Sequence, residues 1–394
     1  MKLSLPIRRL RPPFIRSIPY RLLVFSLCAL CVLCGQLKAQ DFKSLKDGIE
    51  YAEVTKDISG LKVNMNLLRL DLRKVRLDVR HAMDAAIGTE KTSSIATRHG
   101  AFAAINAGFF RLDTSIFAGD PAGVLMIDGE LWSASFNNRV AMGIVNGPTQ
   151  TEVAFVHLGL ENILKIGNKS FLEEVGVNQE LKDDALVIYT PRFHRTTLTG
   201  PNCVEIVVQK GIVRKIVSKA GSSIIPSNGF VIAASGKMRD EILKYSKIGV
   251  KSSATRWRVM DDARPASVFE QAEDIVGGVP RLIIAGKINI TWEWEKSSKS
   301  FVETRHPRTA VAKLRDGKFL MITVDGRTES SGGIGLQDLA EYLLSLGATD
   351  AMNLDGGGST TMFVDGKVVN HPSDREGERK VSDAILVTPR IKKK

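Results

Sequence analysis

Residues 321–355, MITVDGRTESSGGIGLQDLAEYLLSLGATDAMNLD, combine the two kinds of regular pattern that decide the fold. Four leucines recur with helical spacing and Gly347 follows them as a C-terminal stop, so we predict a helix over 335–347. The short apolar runs on either side, which end in Asp325 and Asn353, are typical of buried strands. The segment therefore indicates that helices and strands share one fold.

Three Asp-Gly pairs predict hairpins elsewhere in the chain. They are at 128–129, 316–317 and 365–366, and each lies between apolar runs. A type I′ turn needs positive φ at both central residues, which Asp-Gly readily adopts. Strand patterns therefore outweigh helical ones.

The N-terminal part continues this tendency. Apolar and polar residues alternate between Asp41 and Arg80, which predicts strands with one buried face. Short helices are expected near 159–166 and 238–247. We therefore predict an α+β fold, a single large domain with an extensive mixed β-sheet and few helices.

Composition excludes several classes of protein. The 394 residues are 43% hydrophobic and 25% charged, which argues against a polytopic membrane protein, a collagen-like chain and a disordered chain. The net charge of +12 is concentrated at the ends: residues 1–39 contain seven Lys or Arg and no acid, and the basic tail 389–394 contains four more. The body is close to neutral, so we expect no nucleic-acid partner.

Residues 1–39 have the pattern of a signal peptide. A basic region precedes the apolar stretch Leu22–Gly35, and Leu37-Lys38-Ala39 resembles a cleavage site. An uncleaved anchor is the alternative, although fourteen apolar residues are short for a bilayer. We expect an exported protein, periplasmic or extracellular in a bacterium, with no stable membrane span after cleavage.

Cysteine usage agrees with this compartment. Cleavage would leave only Cys203, so no internal disulfide can form. Cys203 begins a strand-like run and is expected to be a small buried hydrophobic residue rather than a nucleophile. Between leader and main domain, residues 40–90 form an N-terminal β-rich segment, and the main domain is expected over 91–388.

Polar residues and glycines gather at the ends of four apolar runs. The stretches are 104–110 (AINAGFF), 304–309 (TRHPRT), 323–333 (TVDGRTESSGG) and 351–361 (AMNLDGGGSTT). A carboxylate and a guanidinium at a strand end, followed by a Gly-rich loop, favour an anion site. Three consecutive glycines after Asp355 indicate close approach of the backbone to another group. Asn106 could instead cap a strand, and for Arg305 a solvated position is favoured.

These residues resemble the phosphodiester glycosidase family. The similarity runs from about residue 95 to 388 and is carried by the ordered motifs 353–361 (NLDGGGSTT), Arg308-Thr-Ala before it and 369–374 (VNHPSD) after it. Ala107 and Ala312 depart from the usual pattern without changing a charged group. The family includes a lysosomal enzyme that removes N-acetylglucosamine to uncover mannose 6-phosphate, and bacterial envelope proteins linked to exopolysaccharide.

The resemblance implies hydrolysis of a sugar-1-phosphodiester at the anomeric carbon. The phosphate leaving group is already a stable anion, so it needs cations more than a proton, unlike an ordinary glycoside. We therefore expect Arg308 and Arg327 to hold the phosphate. Asp355, or as second choice Asp325, is expected to act as nucleophile or as base for a water.

Other motif residues would orient the substrate. The N–H groups of Gly356, Gly357 and Gly358 are expected to reach the phosphate. Sugar- or phosphate-orienting roles are expected for Asn106, Asn353, Ser359 and Asp374.

The residues leave metal use and two rival functions open. No cofactor is certain, but Asp325, Asp355 and Asp374 could hold Ca²⁺ or Mg²⁺ through oxygen. A metal-dependent phosphodiesterase would attack phosphorus instead of carbon, and a non-catalytic protein of exopolysaccharide assembly would bind a glycan without turnover. The expected partner is a sugar-1-phosphodiester or a phosphorylated glycan.

Overall fold

A computed structural model of the chain describes residues 41–391 except Phe136, 160–162, 172–174 and 255–266. The predicted signal peptide and the last three residues of the basic tail lie outside the described residues. The chain divides after Asp41, and the unit from Phe42 onward is described here. None of the helices in the described part has the length and apolar character needed to cross a bilayer.

Strands form most of the regular structure in this unit. In chain order they are β1 (Lys43–Lys46), β2 (Ile49–Ile58), β3 (Leu61–Leu70), β4 (Val75–His81), β5 (Glu90–Lys91), β6 (Ala103–Asn106), β7 (Leu125–Ile127), β8 (Glu130–Ser133), β9 (Val140–Asn146), β10 (Thr151–His157), β11 (Leu164–Ile166), β12 (Lys169–Phe171), β13 (Val175–Val177) and β14 (Leu186–Tyr189). They continue with β15 (Cys203–Gln209), β16 (Ile212–Ser218), β17 (Gly229–Ser235), β18 (Ser252–Ala254), β19 (Asp274–Gly277), β20 (Arg281–Ile284), β21 (Lys287–Ile288), β22 (Arg308–Leu314), β23 (Phe319–Val324), β24 (Ala348–Asn353), β25 (Met362–Val364), β26 (Lys367–Val368), β27 (Lys380–Val381) and β28 (Asp383–Pro389).

Helices are few and short, as expected. The α-helices are α1 (Thr92–Arg98), α2 (Gly236–Leu243), α3 (Ser267–Gln271), α4 (Lys299–Glu303) and α5 (Leu336–Ser345). The α+β class is therefore confirmed.

The strands form several sheets rather than the single extensive mixed sheet that we expected. The largest has the order β1-β2-β3-β23-β22-β24-β20-β21, and three five-stranded sheets have the orders β10-β9-β19-β7-β8, β13-β14-β17-β15-β16 and β26-β25-β6-β28-β4. Two smaller sheets are β12-β11-β18 and β27-β5. Among the described pairs only β13 and β14 run parallel, so the sheets are mainly antiparallel.

The N-terminal β-rich segment is built into these sheets. Strand β3 lies between β2 and β23, so the first residues of the unit pair with residues about 250 positions later. Strand β4 pairs with β28 near the C-terminus. The described residues of this segment, 41–90, therefore complete the sheets that carry the site residues described below.

The middle of the eight-stranded sheet is buried on both faces, although we expected one. On β3, Val63, Met65 and Leu67 pack in the core under α5, whereas Leu68 and Leu70 pack in a second core on the opposite face. This alternation follows from the two-residue period of a strand. Full burial of each such side chain contributes roughly 1.5–3 kcal/mol.

The turns and helices predicted from local sequence are confirmed in some cases and wrong in others. All three Asp-Gly pairs form hairpin turns, but only 128–129 and 365–366 have positive φ at both residues; at 316–317 only Gly317 does. Helix α5 ends before Gly347, whose φ is +92°, and α2 confirms the helix near 238–247. The prediction of a helix near 159–166 is wrong, because 164–166 is strand β11; residues 160–162 lie outside the described residues.

Candidate active site

The four motif stretches meet around a tight turn at residues 355–361. Asn106, at the end of β6, is fully buried and holds this turn with its side chain. Its Nδ2 donates to the carbonyl of Asp355 at 2.7 Å, and its Oδ1 accepts from the Thr361 N–H at 3.0 Å and the Thr309 hydroxyl at 2.7 Å. Asn106 thus joins three of the stretches by hydrogen bonds within the protein.

Asp355 lies at the start of the turn. Its Oδ1 accepts the N–H of Gly356 at 2.9 Å. Burial raises the pKa of this carboxyl to about 6, partly offset by the Ser359 hydroxyl, the Gly356 N–H and Arg379, while the charge of Asp383 raises it further. A carboxylate with such a pKa changes charge close to neutral pH, which is frequent for catalytic groups.

The three glycines allow close packing. Gly357 has φ of +60°, and a Cβ there would lie 3.2 Å from the Arg327 guanidinium. A Cβ on Gly356 would lie 2.7 Å from the Pro307 carbonyl, and one on Gly358 would overlap the Asp374 carboxylate at 2.1 Å. The close approach predicted from the sequence is therefore made by groups of this protein.

Two of the three glycine N–H groups are committed inside the chain. Gly356 donates to Asp355, and the Gly357 N–H donates to the Pro307 carbonyl at 2.9 Å. This corrects the expectation that all three reach a phosphate and leaves Gly358 as the candidate donor.

Arg308, at the start of β22, supports the site from inside. It is 2% exposed, and its guanidinium donates to the carbonyls of Phe301, Thr304 and Ile334 at 2.6, 2.9 and 3.3 Å. Burial, and then the charge of Arg327, lower its pKa to about 10. These contacts give Arg308 a supporting role, and its direct grip on a phosphate stays a prediction.

Arg327 is the exposed cation of the site. It follows Asp325 and Gly326 at the end of β23 and adopts a φ of +60°. Its guanidinium lies against Gly357, and its Nη2 is 3.2 Å from Nδ1 of His306. The expected role in phosphate binding suits this exposed position beside the glycine turn.

Asp325 lies at a different place from Asp355. It is 4% exposed, and its Oδ1 accepts the His371 N–H at 3.0 Å and the Asn370 amide at 3.3 Å. Burial raises its pKa. Asn370 also donates to the Thr360 carbonyl, so Asp325 anchors the loop after β26 to the glycine turn.

The remaining predicted residues are held within the protein. Asp374 forms a two-point ion pair with Arg379, at 2.7 and 2.9 Å, directly over Gly358. Asn353 is fully buried and donates to the carbonyls of Val279 and Leu354 at 2.7 and 2.8 Å. Arg305, for which we favoured a solvated position, instead pairs with Asp338 at 3.3 Å and is half-buried.

Sequence reasoning missed a buried pair beside the turn, His81 and Asp383. Asp383 begins β28 and accepts the Gly108 N–H at 2.6 Å. A polar residue at the end of an apolar run was the signal that revealed the other stretches, and Ser382-Asp383 before AILV carries it too. His81 is the cross-strand partner of Asp383, a relation that needs the strand register.

A cavity beside Gly108 and Asp383 shares part of its lining with a larger groove. The cavity has room for about one water, whereas the groove has a volume of 450 Å³. Both are lined by Pro121, Ala122, Gly123, Ser135 and Arg139. The groove also contains Asp120, whose pKa burial raises to about 7.

Metal ligands do not cluster at the site. Asp325, Asp355 and Asp374 each have different partners, as described above. Across the described residues, no three or more His, Cys, Asp or Glu side chains are grouped as a metal ion would require. Metal dependence stays open to experiment.

Comparisons with known proteins agree with this arrangement. Residues 202–388 match the family model described as phosphodiester glycosidase. A bovine (Bos taurus) protein named N-acetylglucosamine-1-phosphodiester alpha-N-acetylglucosaminidase is 34% identical over 167 residues, which is 40% of this chain and 29% of that protein. The regions matched in curated relatives cover 13% to 34% of those proteins' lengths.

Solved structures share the fold. A hypothetical protein from Synechocystis has a TM-score of 0.76 at 24% identity, covering 90% of this chain and 64% of its own. A protein from Burkholderia pseudomallei has a TM-score of 0.69 at 22% identity, covering 84% of this chain and 75% of its own. The site residues Arg308, Asp325, Arg327 and Asp355 all lie within residues 202–388, the part of the chain that matches the phosphodiester glycosidase model.

Proposed function

We propose that this protein is a hydrolase that removes a sugar from a sugar-1-phosphodiester by breaking the bond between the anomeric carbon and the phosphate oxygen. The observation that carries the proposal is Asp355, a carboxylate with a raised pKa, on a glycine turn with the Arg327 guanidinium beside it. Acid and cation at one turn suit a substrate with a saccharide on one side and an anion on the other. The name of the bovine relative supports the same bond.

The leaving group needs charge stabilisation. The bond breaks with its electron pair on the phosphate oxygen, which gains negative charge as the sugar gains oxocarbenium character. Arg327 is placed to hold this charge because its guanidinium is exposed, and guanidinium binds phosphate oxygens bidentately. The Gly358 N–H is the backbone donor that could assist.

The sugar needs a charged carboxylate. Asp355 acts either as nucleophile at the anomeric carbon, with water later releasing the sugar, or as base for a water that attacks directly. Both routes require ionised Asp355, since a protonated carboxyl neither attacks carbon nor accepts a proton. Asn106 and Ala107 fix its backbone, which keeps the acid in place during the reaction.

The position of bond cleavage tests the proposal. The methyl phosphodiester of N-acetylglucosamine α-1-phosphate is incubated with the protein in ¹⁸O-water. Attack at carbon places the label in the released sugar, which is the expected result. Label in the phosphate would support the metal-dependent phosphodiesterase instead, and binding without turnover would support a glycan-binding protein. Repeating the assay with EDTA reports whether Ca²⁺ or Mg²⁺ is needed.

We also propose that the protein is exported and acts on glycans of the cell envelope or outside the cell. Residues 1–39 support export by their basic and apolar pattern. N-terminal sequencing of the protein recovered from cell fractions tests this proposal. A mature chain beginning near residue 40 in an extracytoplasmic fraction is expected, and full-length protein confined to the cytosol would contradict it.

A further inference from the structure

Asp383 is a buried carboxylate that the proposed reaction does not use. It is 1% exposed, its Oδ1 accepts the Gly108 N–H at 2.6 Å, and its Oδ2 accepts the Ser382 hydroxyl at 2.5 Å. Burying a carboxylate costs several kcal/mol unless other groups compensate it. This cost, at a position beside the site, indicates that the Asp383 side chain has a role there.

The residues held by Asp383 are the ones that hold Asp355. The backbone carbonyl of Asp383 accepts the Ala107 N–H at 3.1 Å, while its side chain takes the next N–H, that of Gly108. The Ala107 carbonyl in turn accepts the Asp355 N–H at 2.9 Å. The Asn106 side chain binds the Asp355 carbonyl, so both peptide groups of Asp355 are hydrogen-bonded to the segment 106–108.

Asp383 also acts on Asp355 through its charge. Repulsion between the two carboxylates favours protonated Asp355 and adds to the effect of burial. Arg379, the Ser359 hydroxyl and the Gly356 N–H act in the opposite direction. The charge state of Asp383 is therefore one influence on the reacting acid; burial raises the pKa of Asp383 itself, and His81, the Ser382 hydroxyl and the Gly108 N–H offset this in part.

His81 lies beside Asp383 on the neighbouring strand. The ring is fully buried, with Nδ1 at 3.0 Å from the Ala82 carbonyl and Nε2 at 3.2 Å from the Gly119 carbonyl. Carbonyl oxygens only accept, so both contacts are satisfied when both nitrogens carry hydrogen. Burial nevertheless lowers the pKa of His81, and the charges of Asp383 and Asp84 and the two carbonyls offset this only in part.

We propose that Asp383 is a positioning residue for Asp355: its side chain and backbone carbonyl fix residues 107 and 108, which hold Asp355, and its carboxylate sets the electrostatic environment of the reacting acid. This inference rests on the proposed function, because it takes Asp355 as the group that meets the substrate. Asp383 itself has both oxygens occupied and stays behind the reacting atoms.

The test compares pH profiles of kcat/KM for wild type and Asp383→Asn on the methyl phosphodiester of N-acetylglucosamine α-1-phosphate. Asparagine can still accept the Gly108 N–H but carries no charge. We expect the acid limb to move to lower pH by about 0.5–1 unit, because the repulsion that favours protonated Asp355 is removed, while KM changes little. A folded variant whose limb coincides with that of wild type would overturn the proposal.

A matched control separates this effect from the loss of any buried carboxylate. Asp274 is also 1% exposed and accepts the N–H groups of Val79 and Asp128, but it is not among the groups that act on Asp355. Asp274→Asn should leave the acid limb in place. An equal shift in both variants would count against a specific role of Asp383.

A second measurement decides the matter if Asp383→Asn does not fold. Wild-type protein with ¹³C-labelled aspartate carboxyls is titrated, and the Asp355 signal is the one missing from Asp355→Asn. Interaction between the two acids predicts a titration in two steps, and a single step would refute the proposal. Because this titration needs no substrate, it stays informative even if wild type shows no turnover, which would instead defeat the proposed function.

Discussion

At the scale of single residues, the proposal depends most on Asp355. Asp355→Asn keeps the size of the side chain and its acceptor for the Gly356 N–H, so the fold should persist. Loss of the charge should lower kcat at least 100-fold, because neither attack nor proton removal is then available. Steady-state assays with circular dichroism as the folding check measure this. A folded, fully active variant would remove Asp355 from the reaction.

The raised pKa of Asp355 predicts how activity depends on pH. The carboxyl titrates at about 6, and only its ionised form reacts. The value of kcat/KM should therefore be constant above neutrality and fall about tenfold per unit well below pH 6. Rates measured between pH 4.5 and 8 test this, with tryptophan fluorescence to confirm that the protein stays folded. Activity that persists undiminished at pH 4.5 would speak against it.

The residue types of the site were predictable from the sequence, whereas the role of each residue was not. The Asp-Gly-Gly-Gly motif and the strand-end Asp-Gly-Arg identified the region because such residues are rarely needed for packing. Whether a guanidinium points to solvent or to carbonyls depends on tertiary contacts. Arg308 and Arg327 both lie beside the end of a strand, yet one is buried under α4 and the other lies exposed at the turn.

At the scale of elements, the glycine turn depends on its contact with the strand entry. In Gly356→Ala the new methyl group would lie 2.7 Å from the Pro307 carbonyl, a backbone atom that has no side-chain freedom to move. We expect a loss of about 1–3 kcal/mol in the free energy of unfolding and weaker activity. Urea unfolding measures the change. Gly200→Ala is the control, since nothing lies within 4 Å of its added Cβ; equal stability of both variants would contradict the prediction.

The helix α4 is tied to β22 by one side chain. Arg308→Lys keeps the charge but loses the planar fork that reaches three carbonyls. We expect about 2–4 kcal/mol lower stability, since buried carbonyls and a buried ammonium lose partners. Arg305→Lys serves as the comparison, because its half-buried pair with Asp338 should tolerate an ammonium. A stable Arg308→Lys variant with weakened substrate binding would point instead to direct phosphate contact.

Hairpins and the long helix were predictable from local sequence, but the partners of the strands were not. Asp365-Gly366 adopts the turn that its residue types favour, and Gly347 ends α5 as expected. Strand order depends on contacts far apart in the chain. The alternation in β3 looked like one buried face because sequence shows the period, not what covers the second side.

At the scale of the whole molecule, Asp120 predicts how stability changes with pH. Its pKa is about 7 in the folded protein and ordinary when unfolded, so the folded state binds more protons between about pH 4 and 7. Stability from this group is full below pH 4 and is lost as pH rises through 7. At pH 8, urea unfolding of Asp120→Asn should therefore give a free energy of unfolding about 1–3 kcal/mol higher than that of wild type. At pH 4 the variant should show no gain in stability.

A neighbour of opposite character provides the control for that prediction. Ser115 and Arg111 lower the pKa of Asp113 to about 2. Its contribution is present above pH 4 and is lost only in strong acid, so Asp113→Asn should lose stability at pH 8 rather than gain it. A similar response of both variants would show that the burial of Asp120 is not the cause.

The pairing of β3 with β23 has a consequence for biosynthesis. A ribosome delivers residues 61–70 long before residues 319–324, yet the middle of the eight-stranded sheet exists only when both are present. Until residues 319–324 are made, the apolar strand β3 has an unpaired edge, and chains in this state are prone to aggregate. We therefore expect C-terminal truncations that lack residues 319–324 to accumulate as insoluble aggregates.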